Sequence, residues 1–214
     1  MIDTIIFSII ALLLFGFMIY AIIAHDEQPL NIAVYSGSFN PIHIGHKAVI
    51  DYLSNNFDGT YVIVTPQNPL KENISVSAKE RADNISLALF KHEYYNVTIN
   101  DIENTMLPPY YTIKTLRELK KKEPKNNFEL VIGADNLKDI RSWKSYNEIL
   151  LNFGVIVFPR GNIDLEELEI IKNNLMNENP NYKIKIANVK TPNISSTEIR
   201  EAQKNGTNVD YLLM

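Results

Sequence analysis

Two histidines in one short turn are the residues of this chain whose spacing best suits chemistry. His43 and His46 end the run Gly-Ser-Phe-Asn-Pro-Ile-His-Ile-Gly-His, which occupies positions 37–46 behind an apolar, β-branched stretch. Residues three apart at the start of a helix lie on one side of it, and the N–H groups there attract anions. Gly37 lets backbone approach a ligand closely. The turn therefore predicts a polyphosphate site, with an ordinary loop carrying two surface histidines as the alternative.

A second cluster, Ile-Ser-Ser-Thr-Glu-Ile-Arg at positions 194–200, places hydroxyl groups and a guanidinium at a predicted helix start. Ser195 and Glu198 have the spacing of a capping box, so helix capping alone accounts for them. Hydroxyls and free N–H groups also suit a phosphate, and Arg200, one turn later, would grip it in bidentate fashion. We expect this cluster to face the histidines across a bound triphosphate.

The elements that must bring these clusters together follow from the apolar pattern after Pro29. Short apolar stretches that favour strands alternate with stretches that favour helices. The predicted strands are 31–36, 60–65, 96–102, 128–132, 154–158 and 183–189, and the predicted helices are 45–56, 77–90, 112–121, 143–151, 165–177 and 196–205. This order predicts an α/β fold, a Rossmann-like, doubly wound, mostly parallel sheet of five to six strands with helices on both faces. Ligands of such sheets bind at the carboxyl ends of the strands.

The composition limits the partners. The formal net charge is −4, which argues against a nucleic acid as the main partner. The chain has no cysteine, which excludes disulfides, thiolate zinc sites and a cysteine nucleophile, and fits a reducing, cytoplasmic compartment. No cluster of Asp and Glu predicts a metal site of the protein's own. A homo-oligomer is compatible with the sequence, which leaves the number of subunits open.

The two clusters together make the chain recognisable, because they resemble the motifs of the nucleotidyltransferase superfamily of adenylyl and cytidylyl transferases. Three stretches between them narrow the match: VTPQNPLK at 64–71, YTIKTL at 111–116 and VIGADNLKDIRSWKSYNEIL at 131–150. These stretches are similar to those of bacterial nicotinate-nucleotide adenylyltransferases. The resemblance extends over residues 31–212 and implies transfer of AMP from ATP to nicotinate mononucleotide, giving deamido-NAD and pyrophosphate in NAD biosynthesis.

The resemblance also implies a set of ATP-binding residues. By position they are Gly37, Ser38, Phe39, His43, His46, Gly133, Asp135, Ile194, Ser195 and Arg200. Of these, His43, His46 and Arg200 are the implied catalytic residues. The attacking phosphate needs no general base, since its second pKa is about 6 and it is largely ionised at neutral pH. The histidines are therefore expected to neutralise phosphate charge, together with Mg²⁺ that arrives with ATP.

Four further residues are implied for the acceptor substrate. Thr112 would lie at a helix start near the pyridine carboxylate, and Trp143 would stack on the ring. Lys71 and Arg81 would contact phosphates. Each has a plainer explanation in a soluble fold: a helix cap for Thr112, a core aromatic for Trp143, and solvated surface charges for the two cations.

The amino-terminal residues 1–29 differ in character from residues 30–214, which we expect to form the nucleotidyltransferase domain. Ile5–Ile23 holds 19 residues without a charge, enough to cross a hydrocarbon core about 30 Å thick. The direct interpretation is an apolar helix that anchors the protein at the inner face of the cell membrane. A signal peptide and a misplaced start codon are the alternatives, and the first lacks both a basic residue before the apolar run and an A-x-A site.

Three other functions compete with the one that the resemblance implies. One is another adenylyltransferase of the superfamily, acting on nicotinamide mononucleotide or phosphopantetheine. A second is suggested by the literal sequence His-Ile-Gly-His at 43–46, which is a signature of class I aminoacyl-tRNA synthetases, although the chain is short for one and acidic. The third is a membrane-tethered nucleotide-binding protein without activity.

Overall fold

Six strands form one sheet in the part of the chain that the computed structural model describes, residues 2–26, 28–66, 76–160, 163, 165–189 and 191–214. All neighbouring strands are parallel, and their order across the sheet is β3-β2-β1-β4-β5-β6. In chain order the strands are β1 (Asn31–Gly37), β2 (Gly59–Val64), β3 (Val97–Ile99), β4 (Asn127–Gly133), β5 (Val155–Phe158) and β6 (Ile184–Ile186). This sheet confirms the predicted Rossmann-like α/β fold.

Helices occupy most of the connections between these strands. They are α1 (Ile2–Asp26), α2 (Ile44–Asn56), α3 (Ala78–Lys91), α4 (Thr112–Lys122), α5 (Ala134–Lys138), α6 (Tyr146–Glu148), α7 (Leu165–Glu178) and α8 (Ser196–Lys204). Short 3-10 turns lie at Ile102–Thr105, Ile140–Ser142 and Asp210–Leu212, and α6 continues into a π-helical turn at Ile149–Phe153.

The sheet is buried on both faces, as adjacent residues of β2 show. Val62 belongs to a buried cluster with Ile50 of α2 and Ile85 of α3. Its neighbour Ile63 belongs to a different buried cluster, which contains Leu116 of α4 and residues of α5 and α7. Successive side chains of a strand point to opposite faces. The helices α2 and α3 therefore cover one face, and α4, α5 and α7 cover the other.

The direction of winding changes between β1 and β4, and this creates a crevice. β1 pairs with β2 on one side, with Gly37 opposite Val64, and with β4 on the other, with Val34 opposite Leu130. Chain segments leaving these two neighbouring strands turn in opposite directions, so their carboxyl ends flank an opening. The predicted polyphosphate turn follows β1 directly and so begins at this opening.

Three predicted elements are wrong in extent. The predicted strand 183–189 ends already at Ile186. The predicted helix 143–151 starts instead at Tyr146, because Ser145 before it has a left-handed backbone conformation (φ 55°), and α5 with its following 3-10 turn was not predicted. The predicted strand 96–102 stops at Ile99. There the Asn100 side chain accepts a hydrogen bond from the Ile102 N–H (3.0 Å), which starts a 3-10 turn.

The amino-terminal helix α1 stands apart from the clusters that form the core. Its side chains are described for residues 6–20, and all of them are exposed. Within the described residues no helix has the length and apolarity that crossing a membrane requires. The predicted membrane anchor therefore gains no support from the structure.

Candidate active site

A cavity of about 940 Å³ opens at the carboxyl ends of β1, β4 and β5. This volume lies within the range of small-molecule and cofactor sites, about 300–1,000 Å³. The residues predicted for ATP all line it: Gly37, Ser38, Phe39, His43, His46, Gly133, Asp135, Ile194, Ser195 and Arg200. Two motifs that are about 150 positions apart in the sequence thus share one cavity, at the edge of the sheet where the fold predicts a ligand.

The turn after β1 is held by aromatic packing. Phe39 has a left-handed backbone (φ 44°), and its buried ring packs edge-on against the ring of Tyr35, with 5.2 Å between centroids. A Cβ at Gly37 would lie only 3.1 Å from the Phe39 ring. The Gly37 carbonyl accepts a hydrogen bond from Thr65 N–H (3.0 Å) just after β2. Glycine is therefore needed where the chain passes the ring on leaving β1.

His43 is the N-cap of α2, and its hydrogen bonds define which ring nitrogen carries the proton. Its Nδ1 accepts a hydrogen bond from the Gly45 N–H (3.1 Å). In a neutral imidazole only one nitrogen accepts, so the proton lies on Nε2. The side chain is only 2% exposed, and Nε2 has no hydrogen-bond partner within the described residues. A buried N–H without an acceptor is costly, so this atom marks a place for an acceptor supplied by a ligand.

The charge state of His43 follows from its surroundings. Burial and, to a smaller extent, the positive charge of Arg160 lower its pKa, Glu198 opposes them, and together these effects bring the pKa from 6.5 to about 4. His43 is therefore neutral at pH 7 in the unliganded protein. The sequence predicted a neutraliser of phosphate charge. The structure instead describes a neutral hydrogen-bond donor, whose charge would rise only when an anion binds beside it.

His46 lies against His43 with 3.8 Å between ring centroids. Its Nδ1 accepts a hydrogen bond from the backbone N–H of His43 (3.2 Å), so each histidine supports the conformation of the other. Gly45 between them allows this packing, since a Cβ there would lie 2.9 Å from the His43 ring and 3.2 Å from Ile194. The two histidines and the glycine thus form one unit at the start of α2.

The second motif is bonded directly to the first. Ser196 Oγ donates to the Pro41 carbonyl (3.0 Å), and Arg200 Nη1 donates to the Asn40 carbonyl (2.6 Å). A guanidinium has five N–H donors, so these contacts leave capacity for a phosphate. Arg200 therefore fastens α8 to the turn after β1 while it lines the cavity.

Ser195 acts as the N-cap of α8, as the capping alternative expected. Its hydroxyl accepts from the Glu198 N–H (3.2 Å) and donates to Glu198 Oε2 (2.8 Å), and the Ser195 N–H donates to the same oxygen (2.7 Å). These hydrogen bonds hold the pKa of the exposed Glu198 carboxyl below its usual value. The N–H groups of Ser195 and Glu198 at this helix start are therefore already hydrogen-bonded within the capping box.

The end of β4 supplies the opposite wall of the cavity. Gly133 is the N-cap of α5, and a Cβ there would come within 2.5 Å of Asp135 Oδ1. Glycine at this position therefore lets the Asp135 carboxylate fold back over the strand end. A carboxylate so placed can accept hydrogen bonds from sugar hydroxyls, which is compatible with the ATP-binding role that the resemblance implies for Asp135.

Arg160 is the cavity residue of greatest interest that the sequence analysis did not single out. It lies two residues after the end of β5, lines the cavity, and acts electrostatically on His43 and on the partly buried Tyr35. Burial raises the pKa of Tyr35, and Arg160 opposes that rise. Its position in the sequence could have indicated it, because Arg160 is the first cation after a central parallel strand. The carboxyl ends of such strands form the edge of the sheet where ligands bind.

Three of the residues predicted for the acceptor are described, Arg81, Thr112 and Trp143, and none of these three lines the cavity. Arg81 is 2% exposed and donates hydrogen bonds to the carbonyls of Ser38, Thr65 and Val76. The guanidinium of Arg81 therefore binds backbone carbonyl groups, and this corrects the phosphate contact that was expected of it. Thr112 is the half-buried first residue of α4, and Trp143 is half-buried against the core. Lys71 lies outside the described residues.

The donor set of the cavity suits phosphates better than a resident cation. Histidine N–H groups, guanidinium groups and helix starts all present positive charge or donors. Among the described residues, no group of three or more His, Cys, Asp or Glu is arranged to hold a metal ion. A divalent cation, which adenylyl transfer from ATP generally implies, would therefore be held by the ATP phosphates, with Asp135 the nearby carboxylate of the cavity.

Comparison with known proteins gives the chain a family. The sequence model of the cytidylyltransferase-like family matches residues 34–202. A nicotinate-nucleotide adenylyltransferase of Flavobacterium psychrophilum is 37% identical over 187 residues, which cover 86% of this chain and 92% of that relative. The chain belongs to the nicotinate-nucleotide adenylyltransferase family. It is an adenylyltransferase. A relative from Fusobacterium nucleatum is 36% identical over 186 residues, covering 86% and 93% of the two chains.

Solved structures of other proteins have the same fold as this chain. The nicotinic acid mononucleotide adenylyltransferase of Plasmodium falciparum complexed with NaAD has a TM-score of 0.70 to this chain at 23% identity, covering 84% of this chain and 87% of that one. At this identity the likeness supports the fold. The family membership rules out the aminoacyl-tRNA synthetase interpretation of His43–His46, and the resemblance seen in the sequence is confirmed.

Proposed function

We propose that this adenylyltransferase moves AMP from ATP to nicotinate mononucleotide, and that the residues around His43 bind the ATP. A phosphate oxygen of the mononucleotide attacks the α-phosphorus of ATP, the bond from that phosphorus to the bridging oxygen breaks, and pyrophosphate leaves. The product is deamido-NAD. The names of the relatives support this acceptor.

The observation that carries the proposal is the buried, unpartnered Nε2 of His43 on the wall of a cavity lined by both motifs. A neutral N–H in a site of low dielectric is a strong donor to a phosphate oxygen and costs no desolvation of a charge. His46 and Arg200 would add donors to the outer phosphates, and Arg160 would supply a positive charge across the cavity. Gly37, Ser38 and Phe39 would contact the nucleotide through their backbone atoms.

The chemistry needs alignment and charge neutralisation and no general base. Two unit charges 4 Å apart repel by about 4 kcal/mol at an effective dielectric of 20, so attack of one phosphate on another is opposed electrostatically. Mg²⁺ bound to the ATP phosphates would reduce this repulsion. On the acceptor side, Thr112 and Trp143 are the proposed contacts of the nicotinate ring, on the ground of the family motifs that contain them.

An acceptor panel tests the substrate. The purified protein is incubated with ATP, Mg²⁺ and one of three acceptors: nicotinate mononucleotide, nicotinamide mononucleotide or phosphopantetheine. We expect pyrophosphate release with the nicotinate compound at a kcat/KM at least about tenfold above the other two. Release with phosphopantetheine alone would overturn the proposed substrate, and ATP binding without release would point to an inactive nucleotide-binding protein.

A further inference from the structure

The carboxyl group of Glu103 is buried close to the active site, and no step proposed above uses it. Glu103 lies in the 3-10 turn between β3 and α4 and is 3% exposed. Burying a carboxyl costs free energy unless hydrogen bonds compensate. A carboxyl retained in the interior of a small domain therefore calls for a physical account of what it holds.

Glu103 is bonded to the first turns of α4 and lies near the hydroxyl of Thr65, just after β2. Its Oε1 accepts a hydrogen bond from Thr115 Oγ1 (2.8 Å), and Thr115 is itself buried in the first turns of α4. Burial raises the pKa of Glu103, and hydrogen bonding by the Thr115 and Thr65 hydroxyls opposes the rise. Thr65 Oγ1 lies 3.1 Å from the Oγ of Ser36, which lines the ATP cavity. The carboxyl thus bonds directly to α4, and its Oε2 has no hydrogen-bond partner within the described residues.

The start of α4 packs on the core through Ile113 but has no side-chain cap among the described residues. The N-caps of α2, α3 and α8 accept hydrogen bonds with their side chains, whereas the N-cap of α4, Tyr111, makes no such bond among the described residues. The first turn of α4 also has no acidic residue. The Lys114 N–H donates to the Tyr111 carbonyl (2.8 Å), which leaves the N–H groups of Thr112 and Ile113 to face an external carboxylate. The hydroxyl of Thr115, three residues after Thr112, ties this turn to the interior.

We propose that Glu103 is a positioning residue for the acceptor, because its bond to Thr115 fixes the helix start at Thr112 that receives the acceptor's carboxylate. The inference rests on the proposed function, in which nicotinate mononucleotide binds at that start. Glu103 touches neither substrate. Its loss should weaken binding of the acceptor and leave the ATP cavity, which the His43 and Arg200 contacts hold, almost unchanged.

Two substitutions with nearly unchanged shape test this role. Glu103→Gln replaces the carboxyl by a neutral amide, and Thr115→Val removes the hydroxyl that donates to it. Glu118→Gln is the matched control, since Glu118 is on α4 with Thr115 and its side chain is 41% exposed. Its carboxylate lies 4.0 Å from the Lys121 ammonium. Steady-state kinetics at saturating ATP, and then at saturating acceptor, give separate KM values, and thermal melts report the folded fraction.

Glu103→Gln and Thr115→Val should each raise the KM for nicotinate mononucleotide about tenfold, the loss expected for one hydrogen bond to a charged group, while kcat and the KM for ATP stay within about twofold. The double variant should be no worse than the weaker-binding single variant, since both changes act on the same hydrogen bond: Gln neutralises its acceptor and Val removes its donor. Glu118→Gln should match the wild type.

A purely structural role gives a different result. In that case melting temperatures fall while both KM values stay at wild-type levels or rise together, and either pattern overturns the inference. If Glu103→Gln does not fold, Thr115→Val decides by the same comparison of KM values. In another outcome, the wild type turns over nicotinate mononucleotide while the variants show equal changes in the KM for the acceptor and the KM for ATP. That result would contradict this inference alone. Wild-type protein without turnover would remove the proposed function and this inference with it.

Discussion

At the scale of single residues, the site depends on which nitrogen of each histidine carries the proton. His43 and His46 both accept a backbone hydrogen bond at Nδ1, from Gly45 and His43 respectively. This leaves Nε2 of each ring as the donor in the neutral form. The sequence predicted the pair and its side of the helix. It did not predict the neutral state of His43, because that depends on burial and on Arg160, which is far away in sequence.

His46→Asn separates the two roles of this side chain. The Asn oxygen can take the place of Nδ1 and keep the hydrogen bond at the helix start, while the Nε2 donor is lost. We expect kcat to fall by at least about a hundredfold, as for removal of one donor to a transition state, with an unchanged melting temperature. Near-normal turnover by a folded His46→Asn protein would end the proposed role of this histidine.

His43 should make stability depend on pH. The unfolded chain protonates this residue below its ordinary pKa of 6.5, whereas the folded chain resists protonation down to about 4. The unfolded state therefore binds more protons in this window, and the free energy of unfolding falls as pH falls through it. His43→Asn keeps an N-cap acceptor and removes this titration. Urea unfolding at about pH 7 and about pH 5 should show a smaller decrease in the variant than in the wild type; equal decreases would contradict the buried neutral state.

At the scale of elements, the cavity depends on hydrogen bonds that join loops to helices. Arg200 and Ser196 fasten α8 to the turn after β1, and Arg81 of α3 fastens the ends of β1 and β2. The sequence indicated these helices through their apolar spacing and their caps. It could not indicate that Arg81 is buried, because a cation on a helix is usually solvated and its carbonyl partners belong to other elements.

Arg81→Met tests whether this residue holds backbone or substrate. Methionine fills similar space but leaves the carbonyls of Ser38 and Thr65 without their donor, so the free energy of unfolding should fall by about 2–3 kcal/mol in the absence of ligand. Chemical denaturation of the ligand-free protein measures this directly. Unchanged stability combined with a raised KM for ATP or acceptor would restore the phosphate-binding role that the sequence suggested.

At the scale of the whole molecule, the order of strands makes the site. β1 and β4 are neighbours in the sheet although about 90 residues separate them, and α8 returns from the far end of the chain to close the cavity between them. The alternation of strands and helices predicted this sheet. It did not predict α5 or the start at Tyr146, because a short helix carries too few apolar positions to show a period. Location in the cytoplasm stays a prediction of the composition.

The molecule as described also predicts how a divalent cation takes part. The described residues form no metal-binding cluster, so the cation should arrive with ATP. Chelation by EDTA should reduce turnover at least about a hundredfold and leave the melting temperature of the ATP-free protein unchanged. A melting temperature that falls on chelation without ATP would indicate a structural ion and contradict this account.

The transfer of AMP is tested most directly by following the α-phosphorus of ATP. With ATP labelled at that atom and nicotinate mononucleotide as acceptor, the label should appear in deamido-NAD, with one pyrophosphate released for each dinucleotide formed. Label that remains in ATP, or that is released as free AMP without a dinucleotide, would contradict the account.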